Sequence, residues 1–369
     1  MSTWLSVWDG LGGGAARGVA LAALSLALVA CGGSSLTPSA ERAPAASAVP
    51  AAPAAGSSAP PTEPPGRVSL RIPYTAISVV NAPLWVAKEG GYLAEEGLDA
   101  DVEFIATSTT LTQAMLAGEV NVADSGLEAL ITANLAGADL VGIAIGTDRF
   151  IFRLYGSPSV RTLPELRGQR VGISRYGSTT DTVTRLLLRR SGLDPDRDVT
   201  VLQVGGVPEI LAALETGAVD AGPLSPPTMF RAPVGYNLLV DTTEVDISFH
   251  QAMLVTPRRY LAENEALVRR VIRGYLRGVA RYKQDKAFAS AVTGKYTQTD
   301  DPEILELTWV AEDRVLPRVP LVRQDAIQLA LDEAAAQHPE ARTRNPADFY
   351  DNRLVQEQEA NGFIASLYR

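Results

Sequence analysis

From Val68 onward, short apolar runs alternate with stretches of helical period, and the loops between them are rich in glycine, serine and threonine. The run 68–72 predicts a strand, followed by a loop over 73–81 and a helix over 82–89. Asn81 suits that helix's N-cap, and Gly90-Gly91 ends it. A second strand over 101–105 leads into Ala106-Thr107-Ser108-Thr109-Thr110 and a helix that stops at Gly118. A third over 120–123 leads into Asp124-Ser125-Gly126 and another helix. Strands alternating with helices at this spacing predict an α/β fold with a parallel sheet.

The order recurs about a hundred residues later. Strands over 170–174, 199–204 and 219–222 enter the loops Arg175-Tyr176-Gly177-Ser178-Thr179-Thr180, Gly205-Gly206-Val207-Pro208 and Pro223-Leu224-Ser225-Pro226-Pro227. Helix, glycine stop and strand fall in register when 114–123 is laid on 213–222, which predicts duplicated architecture. A third region carries a strand over 251–255 and helices over 263–285, 302–315 and 324–337. The simplest assembly is a first lobe of 68–158 completed by 248–369, with a second lobe, 159–247, inserted. Segments 151–154 and 251–254 would then cross between lobes.

Residues 1–67 have a different character. An apolar run ends Leu28-Val29-Ala30-Cys31-Gly32, with Arg17 before it. It is too short for a permanent transmembrane helix and has the layout of an export signal. Cys31 is the only cysteine, so no intramolecular disulfide forms. A buried cysteine in a core helix is the alternative. The segment before Arg17 is long for a signal and carries Asp9, which a start downstream of Met1 would explain. Residues 32–67 are mostly Ala, Pro and Ser without hydrophobic period, a composition that cannot bury a core. Extended at about 3 Å per residue, they would reach on the order of 100 Å.

Ligands of open parallel sheets bind beyond the carboxyl ends of the strands, where helix N-termini offer free N–H groups. The candidate binding residues are therefore Tyr74, Thr75, Ser108, Thr109, Ser125, Gly126, Tyr176, Gly177, Ser178, Thr179, Thr180, Gly206 and Ser225. Each hydroxyl taken singly is better explained as an N-cap. Their clustering at equivalent loops is what points to a cleft, one suited to an anionic or strongly polar group. Tyr74 and Tyr176 are placed to sandwich a planar body, with loop packing the alternative. Arg175 and Arg149 are candidate counter-charges for an anion, unless solvated at the surface. His250 lies near a crossing, where a structural role competes with lining the cleft.

The segments 81–99, 166–174 and 192–195, with Ala87-Lys88-Glu89-Gly90-Gly91-Tyr92 the clearest stretch, resemble the nitrate/sulfonate/taurine type of ABC-transporter solute-binding proteins, within the thiamine-pyrimidine-synthase-like (NMT1-like) superfamily. The segment 81–99, containing Ala87-Lys88-Glu89-Gly90-Gly91-Tyr92 and Glu96-Gly97-Leu98-Asp99, is similar to that family's "AKE-GYF-EGLDV". Leu166-Arg167-Gly168-Gln169-Arg170-Val171-Gly172-Ile173-Ser174 resembles its "DLKGKRVGVS", and Gly192-Leu193-Asp194-Pro195 its "GLDP". The likeness runs from Val68 to the end. It implies a type II periplasmic-binding fold, two α/β lobes joined by two crossing strands, with ligand loops after Ile72, Ile105, Ala123, Ser174, Val204 and Gly222. It also implies an ABC importer permease as partner. Leu28 to Cys31 resembles a bacterial lipobox, which implies lipidation (palmitate) at Cys31 and a signal peptide over 1–31.

The expectation is thus a lipoprotein of the bacterial cell envelope, tethered by residues 32–67. Its folded body captures a small polar solute, anionic or planar, and passes it to an importer. The net charge of -9 argues against nucleic acid and against anionic lipid surfaces. The membrane is then touched through the lipid alone, the body is a monomer, and neither metal nor cofactor is required. No H-E-x-x-H, P-loop or nucleophile elbow is present, so catalysis is not expected. The alternatives are a ligand-sensing lipoprotein and an enzyme like the thiamine-pyrimidine synthases. The cysteine-rich motif of those enzymes is missing here.

Overall fold

The structure is a computed structural model that describes residues 67–106 and 108–369. Signal, lipidation site and tether, all expected before Arg67, lie outside the described residues. Chain order begins with β1 (Val68–Arg71), α1 (Ala82–Glu89), α2 (Tyr92–Glu95), β2 (Leu98–Asp101), α3 (Ser108–Leu116), β3 (Ala123–Ser125), α4 (Leu127–Leu135) and β4 (Leu140–Ile145). It continues with β5 (Arg153–Gly156), β6 (Arg170–Ile173), α5 (Thr179–Arg190), β7 (Thr200–Gln203), α6 (Val207–Glu215), β8 (Ala221–Leu224) and β9 (Asn237–Asp241). The chain then returns through β10 (Met253–Pro257) to α7 (Arg258–Glu263), α8 (Glu265–Gln284), α9 (Lys286–Thr297), α10 (Pro302–Val315), α11 (Gln324–Ala334), α12 (Arg353–Ala360) and α13 (Phe363–Ser366). Among the described residues no helix is long and apolar enough to cross a membrane.

Two sheets, the first lobe's in two separately paired pieces, organise these elements. In the second lobe the order is β7-β6-β8-β5-β9, with β7, β6 and β8 parallel and β5 antiparallel to both its neighbours. In the first lobe β1 pairs with β2 in parallel, and β10 lies antiparallel between β3 and β4. Tyr74 joins these two pieces through single bridges to Phe104 and Asp124. Each lobe therefore repeats one order: second strand, first, third, an incoming strand, fourth. The incoming strand is the one that has just crossed from the other lobe, which is why neither sheet is wholly parallel as the spacing predicted. Because β5 belongs to the second sheet, that lobe starts before residue 159, the boundary expected from sequence.

Two strands sit a few residues from their expected places. The alternation of buried Leu98 and Ala100 with exposed Asp99 and Asp101 puts β2 opposite β1, ahead of 101–105. Glu119 and Val120 N–H groups still bond to Ala114 O at the end of α3, so β3 cannot begin until Ala123. β4 and β9 went unpredicted. The long helix α8 packs across α1, and α11 packs on α4. Contact with α1 is close because Gly278 faces it: a methyl group there would collide with Pro83 O and Ala87. Trp85 is fully buried, stacked on Tyr296 at 4.7 Å and edge-on to Tyr74 at 5.3 Å.

The two crossings run side by side. Arg149 bridges antiparallel to Ser248, Phe249 N donates to Asp148 O (3.3 Å), and Gln251 N donates to Thr147 Oγ1 (3.0 Å). Phe150 from one crossing stacks on Phe249 from the other at 4.2 Å and 16°, both fully buried. Removing one ring of such a pair leaves a cavity that the rigid backbone does not refill. Phe249→Ala is expected to lower stability by about 3–5 kcal/mol, read as a shift of the urea unfolding midpoint; an unshifted midpoint would show that the crossings do not depend on this stack.

Candidate ligand cleft

Between the lobes lies a cavity of about 580 Å³, lined from both sides by the loops that follow the strands. This is ample for a small organic molecule. From the first lobe come the loop after β1, Phe104 and the faces of α3 and α4; from the second come the loops after β6, β7 and β8. Hydrogen bonds cross the gap, among them those donated by Ser78 Oγ and Val79 N to Pro226 O, each 3.4 Å. Ser78 Oγ donates to Ser225 Oγ at 3.1 Å, both buried, and Thr179 Oγ1 donates to Glu128 Oε1 at 2.8 Å. Arg231 Nη2 to Thr299 Oγ1 (3.0 Å) and the Arg189–Glu333 ion pair hold the lobes together farther out.

Of the residues expected from sequence, the cavity brings together Thr75, Ser125, Gly126, Tyr176, Gly177, Ser178, Thr179, Thr180, Gly206 and Ser225. The side chains of Ser108 and Thr109 lie outside the described residues. Tyr74 is a correction. It is buried among Trp85, Phe104 and Tyr296, because its backbone extends the β1 pairing and turns the ring inward. Phe104 and Ile77 of the first lobe line the cavity together with Tyr176 of the second, whose hydroxyl donates to Val201 O at 2.9 Å, and Phe104 and Tyr176 are both more than two-fifths exposed. The expected Tyr74–Tyr176 sandwich is therefore replaced by an apolar rim of Ile77, Phe104 and Tyr176.

Several hydroxyls are occupied. Ser178 caps α5 by accepting from Asp181 N and also lies 2.9 Å from Ser174 Oγ; Thr180 Oγ1 accepts from Ser174 N at 2.9 Å. Asp181 accepts from Gly177 N (2.8 Å) and from Arg185 Nε (2.6 Å), as a first-turn carboxylate should. Arg149 does not line the cavity and pairs with Asp148. Arg175 lines it but is exposed. His250 is buried in the crossing: Nδ1 donates to Thr147 O (3.1 Å) and Nε2 accepts from Arg323 N (2.9 Å). Burial lowers its pKa to about 4, so the ring is neutral and structural.

Glu128 is the residue the sequence reading missed. It stands in the first turn of α4, lines the cavity and is only 9% exposed. Burial raises its pKa to about 7, against the pull of Thr179 Oγ1–H and of the N–H groups of Glu128 and Thr179; nearby Asp181 adds to the rise. Its Oε2 has no hydrogen-bond partner. Gly126 makes room for it, since a methyl group there would collide with both carboxyl oxygens. A second buried carboxyl, Asp124, is not in the lining; burial raises its pKa to about 8.

The architecture is the periplasmic-binding-protein fold, with two α/β lobes on either side of a cavity. The chain belongs to the NMT1/THI5 like family, which it matches over residues 79–287. Among solved structures it resembles a Bordetella bronchiseptica RB50 protein at 19% identity, with 80% of this chain and 98% of that one covered and a TM-score of 0.70. It also resembles the alkanesulfonate-binding protein SsuA of Xanthomonas axonopodis pv. citri bound to MOPS (20% identity, 74% and 94% covered, TM-score 0.62). A third is the periplasmic nitrate-binding protein NrtA of Synechocystis PCC 6803 (14% identity, 82% and 91% covered, TM-score 0.61). No curated protein matches the chain in sequence.

A carboxyl whose pKa is raised from 4.5 to about 7 on folding keeps its proton in the folded state while the unfolded chain has lost it. Stability therefore falls as pH rises from about 4.5 to 7 and stays reduced above. His250 gives the opposite trend below 6.5, but equally in any Glu128 variant. Relative to E128Q, the wild-type protein should lose stability between pH 5 and pH 8 in urea titrations; a constant difference would show that Glu128 is not held protonated by burial.

Proposed function

We propose that this is an extracytoplasmic solute-binding protein that captures one small organic molecule between its lobes and passes it, unaltered, to an ABC importer. The observation that carries the proposal is the cavity itself. It is lined by the strand-following loops of two lobes that only two adjacent crossings join, the arrangement a hinge needs in order to open and close. Ligand contacts made from both sides would favour the closed form, and the importer would recognise that form. Family membership and the named activities of SsuA and NrtA point the same way. The groups presented to a ligand are hydroxyls, amides, backbone N–H groups and one buried carboxyl, which suit binding rather than turnover.

We read Cys31 as the lipidated residue, 32–67 as the tether and the envelope as the location, with the body monomeric. The ligand-contact set we propose is Thr75, Ser125, Gly126, Tyr176 to Thr180, Gly206 and Ser225, joined by Phe104 and Glu128. Native mass spectrometry of the protein, followed by thermal-shift measurements over sulfonates, nitrate, flavins and organic bases, should find a bound solute recovered chemically unchanged. Turnover of the solute by the purified protein would overturn the reading. Labelled palmitate should enter the wild-type protein in cells and be lost in C31S, with C31S released from the membrane fraction; membrane retention of C31S would remove the anchor.

A further inference from the structure

Helix N-termini facing a cleft are the usual means of holding an anion, and two converge here: the start of α4 from the first lobe and that of α5 from the second. The place between them is already filled. The Glu128 carboxyl receives Thr179 Oγ1–H and lies against the N–H groups of Glu128 and Thr179, one from each helix start. The chain thus supplies its own carboxylate where a bound anion would sit. A second anion there would be opposed by Glu128 and by Asp181, which faces it from α5. Charge elsewhere in the lining does not offset this: the other charged residues are Arg175 and Glu209, both exposed at the rim.

What remains unsatisfied defines the complement. Glu128 lines the cavity, and its Oε2 is buried over Gly126 without a partner. An acceptor left so costs about as much as a lost hydrogen bond, more when it is charged. A ligand nitrogen carrying hydrogen and positive charge would satisfy it with a charge-assisted bond. Ile77, Phe104 and Tyr176 at the mouth then offer an apolar and aromatic surface for the rest of the molecule, over which a delocalised cation is also favoured.

We propose that Glu128 is the built-in counter-anion of the cleft and that the solute is an organic cation, a protonated amine or amidine on an apolar or planar body, rather than a sulfonate or nitrate. This rests on the solute-binding function proposed above. Gly126 belongs to the same device, since the carboxyl folds back over it. Thr179 is the positioning residue that draws Glu128 to the helix start of the other lobe.

The test uses matched probes of equal body and opposite charge, benzamidine and benzylamine against benzenesulfonate, titrated calorimetrically into the full chain. The wild-type protein should bind the two cations and not the sulfonate. Cation affinity should rise about tenfold from pH 6 to pH 8, as a carboxyl titrating near 7 becomes ionised, with a proton released on binding. E128Q, of the same size, should weaken the cations about tenfold or more while admitting the sulfonate. T179V, which keeps the carboxylate, should retain the preference for cations, and urea midpoints show whether each variant is folded. Binding of the sulfonate alone by the wild-type protein, or cation binding indifferent to both E128Q and pH, would overturn the inference and leave solute binding standing. If neither series binds and native mass spectrometry finds no carried solute, the underlying binding function falls with it.

Discussion

One buried carboxyl sets the geometry of the cleft. Glu128 is reached by a helix start from each lobe, and its bond to Thr179 lies in the wall of the cavity itself. Ionising a group with so little water around it is unfavourable unless its charge is met by donors. Helix dipoles and N–H groups meet part of that demand, and the raised pKa shows that they do not meet all of it. The site is therefore poised. In this structure α5 meets the carboxyl through Thr179, and on the proposed function a ligand that donates to the free oxygen would complete its shell.

The fold makes such a contact possible without making it permanent. Each sheet receives its incoming strand from the other lobe, β5 going one way and β10 the other, so both crossings are anchored in the sheets they join. Between the sheets the crossings hold each other through the Arg149–Ser248 bridge and the Phe150–Phe249 stack, while the neutral His250 also accepts from Arg323 N ahead of α11. A lobe lies on either side of a narrow, well-packed pair of segments. Away from the crossings the lobes meet through hydrogen bonds such as Ser78–Ser225 and Thr179–Glu128, the Arg189–Glu333 ion pair and apolar packing of α4 against α5. Hydrogen bonds of this kind are worth about 1 kcal/mol each after exchange with water, so a ligand with contacts on both sides can decide the balance.

Much of this was legible in the chain. Helix α1 falls at its predicted residues with Pro83 in its first turn and Gly90 at its end, although Asn81 makes no cap bond and donates instead to Ala76 O; α10 is capped by Asp301, which accepts from Glu303 N and Ile304 N. The loops that line the cavity are those strand logic points to, since they follow the carboxyl ends of the strands. Tyr74 was misplaced because a residue just past a strand end can face either way, and only the bridges to Phe104 and Asp124 fix its side. Glu128 was not visible for a related reason. A glutamate in the first turn of a helix is ordinary at the surface, where it complements the dipole. What makes it a site residue is Thr179, fifty-one positions away on the other lobe. Strand β4 is apolar throughout its length and so carries no alternating pattern, having helices on both faces of its sheet.

The account stands or falls on whether Glu128 joins two bodies that otherwise move apart. Spin labels at the exposed positions Leu116 and Val234, one on each lobe, can report this by pulsed dipolar spectroscopy in a C31S, L116C, V234C background. Without solute, adding E128A should lengthen and broaden the distance distribution relative to the parent, and solute should narrow the parent's to its shorter component. A distribution unchanged by E128A and by solute alike would describe a single rigid body and contradict the account.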